Sequence, residues 1–235
     1  GWWSELLRAE APPSPADLPP RRRRLLRMLH TSLFGPTQKP AELPRALARL
    51  WQHSDRREEL AELADVLRDR LHRVTRPLHD EVPLHLHARY SRYEALRAFG
   101  DEATRFNEGV RWVRHANADL FFVTLRKSGR QFSPTTRYAD HALSPKLFQW
   151  ESQSTTSEGF ETARRYIEHA ARGQSIHLFL REHADADGAL GTPAFVYAGP
   201  ITYVEHSGSR PVRFRWRLAH PLPADLYHAA KITPG

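Results

Sequence analysis

The sequence predicts an α+β fold: an N-terminal helical subdomain followed by a mostly antiparallel domain with short helices, either a β-sheet or a barrel-like form of it. Two patterns support this prediction. Apolar residues recur at helical spacing in the first third of the chain, whereas short apolar or alternating runs, separated by turn signals, dominate the C-terminal half. We therefore divide the chain into a linker or arm at 1–20, a helical subdomain at 21–80, a mixed α+β recognition domain at 81–228 and a tail at 229–235.

The helical subdomain contains three predicted helices. A proline-dense stretch, APPSPADLPP, precedes the first helix, which follows Arg21–Arg24 and ends at Gly35-Pro36. The second helix spans Leu43–Trp51. The third begins after Ser54, a favourable N-cap residue, and runs to about Val74.

The recognition domain is predicted to combine two short helices with four strands. Ser91 and Glu94 have capping-box spacing and begin a helix that ends at Gly100. In the last strand, VRFRWRL, apolar residues face one way and the intervening arginines face the other. The remaining elements are a strand at Leu120–Leu125, a helix at Glu161–Arg172 and strands at Ser175–Arg181, Phe195–Glu205 and Val212–Leu218.

The composition favours a nucleic-acid partner. Among 235 residues, 35 Lys and Arg outnumber 27 Asp and Glu, and the formal net charge is +8. Most of this excess is arginine, whose planar fork suits phosphate and guanine. The absence of cysteine excludes disulfides and thiolate chemistry, and no apolar run reaches the roughly 18 residues of a membrane span. We expect a cytoplasmic protein with no membrane partner, and the start at Gly1 without a Met suggests a fragment of a longer chain.

The segment 119–157 is the predicted binding surface. After its opening strand we interpret it as a long polar loop that carries Phe132, Tyr138 and Trp150. These rings could stack on an unpaired base or line a pocket for a flipped one, or Trp150 could anchor the loop to the core. The arginine row of the last strand is either a contact to the nucleic-acid backbone or an ordinary solvent-exposed face.

No catalytic motif is recognisable, and we assign no catalytic residue, metal ligand or cofactor to this chain. The sequence lacks a G-x-x-x-x-G-K phosphate loop and a G-x-S-x-G nucleophile elbow. A metal-dependent nuclease could use Glu108 and Asp119, but the strand that follows ends in Arg126-Lys127 without a second carboxylate. We therefore expect no enzyme activity from this chain itself.

Several long motifs follow one another along the chain, within a resemblance that covers roughly residues 15–225: PLHLHARYSRYEALRAFG, FFVTLRKS, FSPTTRYADHALSPKLFQWESQSTTS, RYIEHAARG, HLFLREH and YAGPITYVEHSGSRPVRFRWRL. In these motifs the chain resembles a bacterial domain of unknown function. That domain is found at the C-terminus of superfamily II (DEAD/DEAH-type) helicases, which often carry an N-terminal phospholipase-D-type nuclease. The chain departs from the family pattern at Gln149 and Glu151, where His and Gln are expected.

The resemblance implies a DNA-recognition module of a helicase–nuclease type restriction or phage-defence protein, with the helicase and nuclease modules upstream in cis. A modified base or a modified backbone is one option for what the module recognises on DNA. The alternatives are a protein–protein docking module for the adjoining helicase and a metal-dependent nuclease. Predicted DNA-binding residues, from the motifs and from the local charge together, are Arg89, Arg126, Lys127, Arg130, Ser133, Thr135, Thr136, Arg137, Tyr138, Trp150, Ser152, Gln153, Ser154, His206, Ser207 and Arg210.

Overall fold

The fold is taken from a computed structural model that describes residues 1–37, 39–69, 81–126, 140–152, 161–185, 192–209 and 211–231. The chain divides into two compact units. The first comprises Gly1–His85 and Tyr93–Phe106, and the second comprises Leu86–Arg92 and Asn107–Gly235. The division predicted from sequence places 93–106 with the sheet domain, and its exact boundaries stay a prediction.

The first unit is helical, as the apolar spacing predicts. Leu26, Leu43 and Leu47 pack with Leu6 in a small core, so α1 lies inside the stretch predicted as an arm. The α-helices of this unit are α1 (Trp2–Leu7), α2 (Pro20–Phe34), α3 (Leu43–Trp51), α4 (Ser54–Asp69) and α5 (Arg92–Ala98), the last beginning at the final residue of 86–92.

The second unit is built on one sheet of eight strands within the described residues. Their order is β2-β3-β6-β7-β8-β5-β4, and β1 pairs with β7 beside this path. The strands are β1 (Arg89–Tyr90), β2 (Val110–Val113), β3 (Ala118–Thr124), β4 (His141–Ser144), β5 (Leu147–Glu151), β6 (Ser175–Arg181), β7 (Phe195–Ser207) and β8 (Arg213–Leu218); helices α6 (Glu161–Ile167) and α7 (Ala224–Ala230) accompany them.

The pairing is mostly antiparallel, which confirms the predicted fold class. The one parallel pair described is β3 with β6, in which Thr124 lies opposite Arg181. Because β2 and β4 are the edge strands of the described sheet, the sheet is open, so of the two predicted forms, sheet or barrel, the described residues adopt the sheet.

The two faces of the sheet differ in chemistry because side chains alternate along each strand. One face, here called the helix-covered face, packs Phe121, Ile176, Phe214 and Trp216 in a core that also includes Tyr166 of α6 and residues of α7. The opposite face is also buried on β3 and β6, where it carries Leu120, Phe122 and Phe179, whereas on β8 it carries Arg213, Arg215 and Arg217, and Arg181 lies on it at the end of β6. We call it the arginine face.

The predicted binding loop is interrupted by regular structure. Residues His141–Ser144 and Leu147–Glu151 form an antiparallel hairpin, with Phe148 opposite Trp216 of β8. Phe148 and Trp150 alternate toward the core with Leu147, Gln149 and Glu151 between them. This hairpin was missed at the sequence level because polar residues on the exposed face diluted the strand signal.

Candidate nucleic-acid interface

Three chain segments meet at one end of the sheet. The Asp140 carboxylate accepts a 2.9 Å hydrogen bond from the Glu151 amide, which joins the start of β4 to the end of β5. Ser207 at the end of β7 lies opposite Arg213 at the start of β8, and Glu151 lies opposite the same arginine. We call this group, Asp140, Glu151, Ser152, Ser207 and Arg213, the β5–β8 end.

Ser152 fixes this end internally and does not present its hydroxyl group to a ligand. It is 7% exposed, its amide donates to the Val212 carbonyl (2.9 Å), and its Oγ accepts from the Val212 amide (3.0 Å). These reciprocal bonds extend the β5–β8 pairing by one step. The predicted direct contact of Ser152 with DNA is therefore replaced by a positioning role.

Trp150 is a core residue. It is 7% exposed, and its ring lies 4.5 Å from that of Phe121, 5.9 Å from Tyr166 and 6.0 Å from Phe214. Offset and edge-on aromatic packing of this kind stabilises a core beyond the area it buries. The burial corrects the expectation that the Trp150 indole stacks on a base and supports the anchoring alternative.

His206 and Ser207 do lie at the surface beside this end. Ser207 is exposed, and His206 is half-buried with its ring 5.8 Å from Phe214. The His206 Nδ1 is 2.6 Å from the Tyr203 hydroxyl, which fixes the orientation of the imidazole. His206 is therefore a pre-oriented polar group beside the point where the three segments meet.

The β8 arginines are exposed but mostly paired. Arg213 is 51% exposed and donates to Glu151 at 2.9 Å, and Arg215, 46% exposed, pairs with Glu205. Arg217 is exposed on the same face. Because an exposed ion pair contributes little, phosphate could displace these carboxylates, but the net charge of the row is much lower than its three arginines suggest.

Two further predicted contacts lie elsewhere on the sheet. Arg126 follows β3 and is 67% exposed, and its guanidinium is 2.9 Å from the carboxylate of Glu182. Arg89 is exposed on β1, at the start of the short pairing with β7. Neither residue belongs to the β5–β8 end.

Of the predicted contacts, Lys127, Arg130, Ser133, Thr135, Thr136, Arg137, Tyr138, Gln153, Ser154 and Arg210 lie outside the described residues.

Asp119, the residue offered for the nuclease alternative, is engaged by an arginine on both oxygens. Arg165 of α6 donates from Nε to Oδ2 at 2.8 Å and from Nη2 to Oδ1 at 3.1 Å, and it stacks over Trp112 at 4.7 Å. Burial raises the pKa of the Asp119 carboxyl above its ordinary value, while the hydrogen bonds from Arg165 act in the opposite direction. This geometry gives Asp119 a structural role, and Glu108 is exposed.

The sequence interpretation missed Arg92, Thr124 and Arg181, which lie together on the arginine face. The available signal was positional: Arg181 and Thr124 each close an apolar strand. Those two strands turn out to be parallel neighbours. Parallel strands bring their carboxyl ends to the same edge, where ligands commonly bind.

The described ranges contain no group of three or more His, Cys, Asp or Glu side chains that could hold a metal ion. Among the helices of those same ranges, none combines the length and apolar character required to cross a membrane.

The fold and these surfaces define a small α+β domain with an open mixed sheet and polar segments gathered at its end. The family model described as a domain of unknown function (DUF3427) matches residues 84–230. The chain belongs to this family, and the matched region contains every strand of the sheet and both of its accompanying helices. No curated protein matches the chain.

Proposed function

We propose that the sheet unit is a non-catalytic DNA-recognition module of a helicase–nuclease type restriction or phage-defence protein, acting in the cytoplasm with the helicase and nuclease modules in cis. One observation carries the proposal: the β5–β8 end joins three segments that hold most of the predicted DNA contacts. In sequence, Gln153 follows Ser152 directly, Tyr138 precedes Asp140 by two residues, and Arg210 precedes Val212 by two.

The described residues of this end support a composite site. The hydrogen bonds of Asp140 and Ser152 hold the three strand ends at fixed spacing. A rigid scaffold that presents polar loop residues is the usual arrangement of a binding site.

The chemistry of the gathered residues suits DNA. Arginines at 137 and 210 would contact backbone phosphates and fix orientation, while Gln153 and the oriented His206 offer hydrogen-bonding groups to a base edge. Since Trp150 lies in the core, we assign base stacking to Tyr138. Such a composite site would distinguish a modified base from an unmodified one by its shape and polarity.

Binding of the whole chain to labelled duplex and single-stranded DNA, with and without a methylated base, tests the proposal at two ionic strengths. We expect affinity to fall steeply with salt, because each phosphate contact releases counterions. Arg137→Gln and Arg210→Gln should each weaken binding and reduce the magnitude of the salt slope by about 1. Arg172→Gln is the matched control, since Arg172 is bound to Glu161 and Glu168 and is not among the predicted DNA contacts.

Absence of DNA binding at low salt, or binding that does not depend on salt, would contradict the proposal.

A docking role toward the upstream helicase module is the second candidate. Its specific support is an exposed apolar stripe on α4, where Leu63, Val66 and Leu67 are 52%, 46% and 56% exposed at helical spacing. Loss of helicase-module binding without loss of DNA binding in Leu63→Asp would favour that role for the first unit.

A further inference from the structure

Arg181 lies at the carboxyl end of β6 on the arginine face, well away from the β5–β8 end in strand order and direction. Its Nε donates a 2.9 Å hydrogen bond to the Thr124 hydroxyl of the neighbouring parallel strand. Its guanidinium lies over the Phe195 ring at 4.4 Å from the centroid. The side chain is half-buried, so it is held in place while one part of it remains accessible to solvent.

A second guanidinium approaches the same ring. Arg92 lies 5.6 Å from the Phe195 centroid and 5.7 Å from that of Phe122. The two arginines are brought together by β1, which pairs Tyr90 with Phe195 and leads directly into Arg92. Two cations therefore share one aromatic platform.

The surroundings of Arg181 disfavour its positive charge. Burial lowers the pKa of the Arg181 guanidinium, and the positive charge of Arg92 lowers it further. Glu182, the carboxylate next in sequence, is bound to Arg126 at 2.9 Å. Within the described part of the chain no carboxylate forms an ion pair with Arg181, and its other acceptor is the Pro193 carbonyl at 3.5 Å.

This setting is unusual for a partly desolvated cation. Arginines withdrawn from water normally have a carboxylate partner, as Arg165 does with Asp119. Thr124 supplies only a neutral acceptor, and the Phe195 ring supplies only its quadrupole. An oxyanion beside the two guanidinium groups would give Arg181 a counter-charge and accept hydrogen bonds from its terminal nitrogens, since its Nε is committed to Thr124.

We propose that Arg92 and Arg181, stacked on Phe195, form a binding site for a phosphate group. The inference rests on the proposed function in one respect: within a DNA-recognition module the phosphate is a backbone phosphodiester. The same chemistry would also accept free phosphate. Two forked guanidinium groups match the tetrahedral oxygens of a phosphate, whereas one lysine-like point charge would not.

The test uses the whole chain and inorganic phosphate as the first probe. Thermal unfolding is measured in phosphate and in chloride at equal ionic strength, for the wild type, Arg181→Gln and the control Arg217→Gln, an exposed arginine of the same face. We expect phosphate to raise the Tm of the wild type and of the control, and this shift to be lost in Arg181→Gln, because a ligand that binds only the folded state stabilises it.

DNA is the second probe and separates the two sources of phosphate. If the backbone occupies the site, Arg181→Gln reduces the magnitude of the salt slope of DNA binding by about 1, and if free phosphate is the ligand the slope does not change. Arg181→Lys keeps the charge but loses the fork, so it should lose most of the phosphate-induced Tm shift. This variant decides the question if Arg181→Gln does not fold.

A phosphate-induced Tm shift that is absent in the wild type, or equal in wild type and both Arg181 variants, would overturn the site. The two proposals fail separately. A chain that loses its phosphate response in Arg181→Gln but does not bind DNA retains the phosphate site and refutes the recognition function. A chain that binds DNA but shows no dependence on Arg181 in either assay retains the recognition function and refutes the phosphate site.

Discussion

Arginine is used in opposite ways in two regions of the arginine face. On β8, Arg213 and Arg215 are about half exposed, and each has a carboxylate from a neighbouring strand. At the end of β6, Arg181 is half-buried beside a second cation, and its bonds are to a hydroxyl and a carbonyl. The three alternating arginines of β8 are conspicuous in the sequence, yet Arg181 has the greater need for an anionic partner.

The difference shows that the number of basic residues is a poor guide to an anion site. A carboxylate one strand away neutralises an exposed arginine at little structural cost, because water solvates the arginine and, in the Arg215–Glu205 pair, the carboxylate as well. A cation that is partly withdrawn from water stays uncompensated until an anion binds beside it. The setting of each guanidinium, which only folding defines, therefore decides where phosphate would bind.

The largest expected effect is on Arg165, the one arginine in the described part of this sheet unit that pairs with a buried carboxylate. Asp119→Asn should destabilise the protein by about 3–5 kcal/mol, because it leaves Arg165 partly buried without its counter-charge. Chemical denaturation measures the loss. Replacing both partners with apolar residues, Asp119→Leu with Arg165→Met, should recover most of the stability. If Asp119→Asn were as stable as the wild type, the contrast between paired and unpaired buried arginines would lose its basis.

A smaller effect is expected behind the β8 row, on the helix-covered face. Trp150→Leu should cost about 2–3 kcal/mol of unfolding free energy, because it leaves a cavity among Phe121, Tyr166 and Phe214. DNA affinity of the folded variant should not change. Unchanged stability with weakened DNA binding would restore Trp150 to the recognition surface.

The smallest effect is expected in the β8 row itself. Glu151→Gln removes the partner of the exposed Arg213, and we expect less than about 1 kcal/mol of change in unfolding free energy, diminishing further at high salt. The same variant should raise DNA affinity modestly at low salt, since it frees one cation at the β5–β8 end. Denaturation and DNA titration at two salt concentrations measure both, and a large stability loss would show that the row is part of the structural framework.

Local patterns predicted the regular elements well where one periodicity dominated. The strand Ser175–Arg181 has the predicted bounds, and β8 alternates as its sequence indicates, with Phe214 and Trp216 fully buried. Helix α3 also has the predicted bounds. In each case the local preference of the chain agrees with its final burial, so nearby residues contain enough information.

The candidate site was predicted less well because it depends on pairing between distant segments. Nothing local shows that β3 and β6 are parallel neighbours, so the meeting of Thr124 with Arg181 is invisible in either strand alone. The aromatic residues of 132–150 suggest a surface, yet Trp150 belongs to the core because β5 pairs with β8. Phe148 and Trp150 are then turned inward together.

The sequence by itself determined the α+β class, the helical first unit, the strongest strands and a basic, cysteine-free composition that favours a polyanionic partner. The tertiary structure alone decided which arginines keep an unbalanced charge, which aromatic rings are buried, and that three polar segments share one end of the sheet. The physical reason is the sequence separation over which each kind of interaction acts. Periodicity and capping act within a few residues, whereas burial and charge pairing depend on strands brought together from opposite parts of the chain.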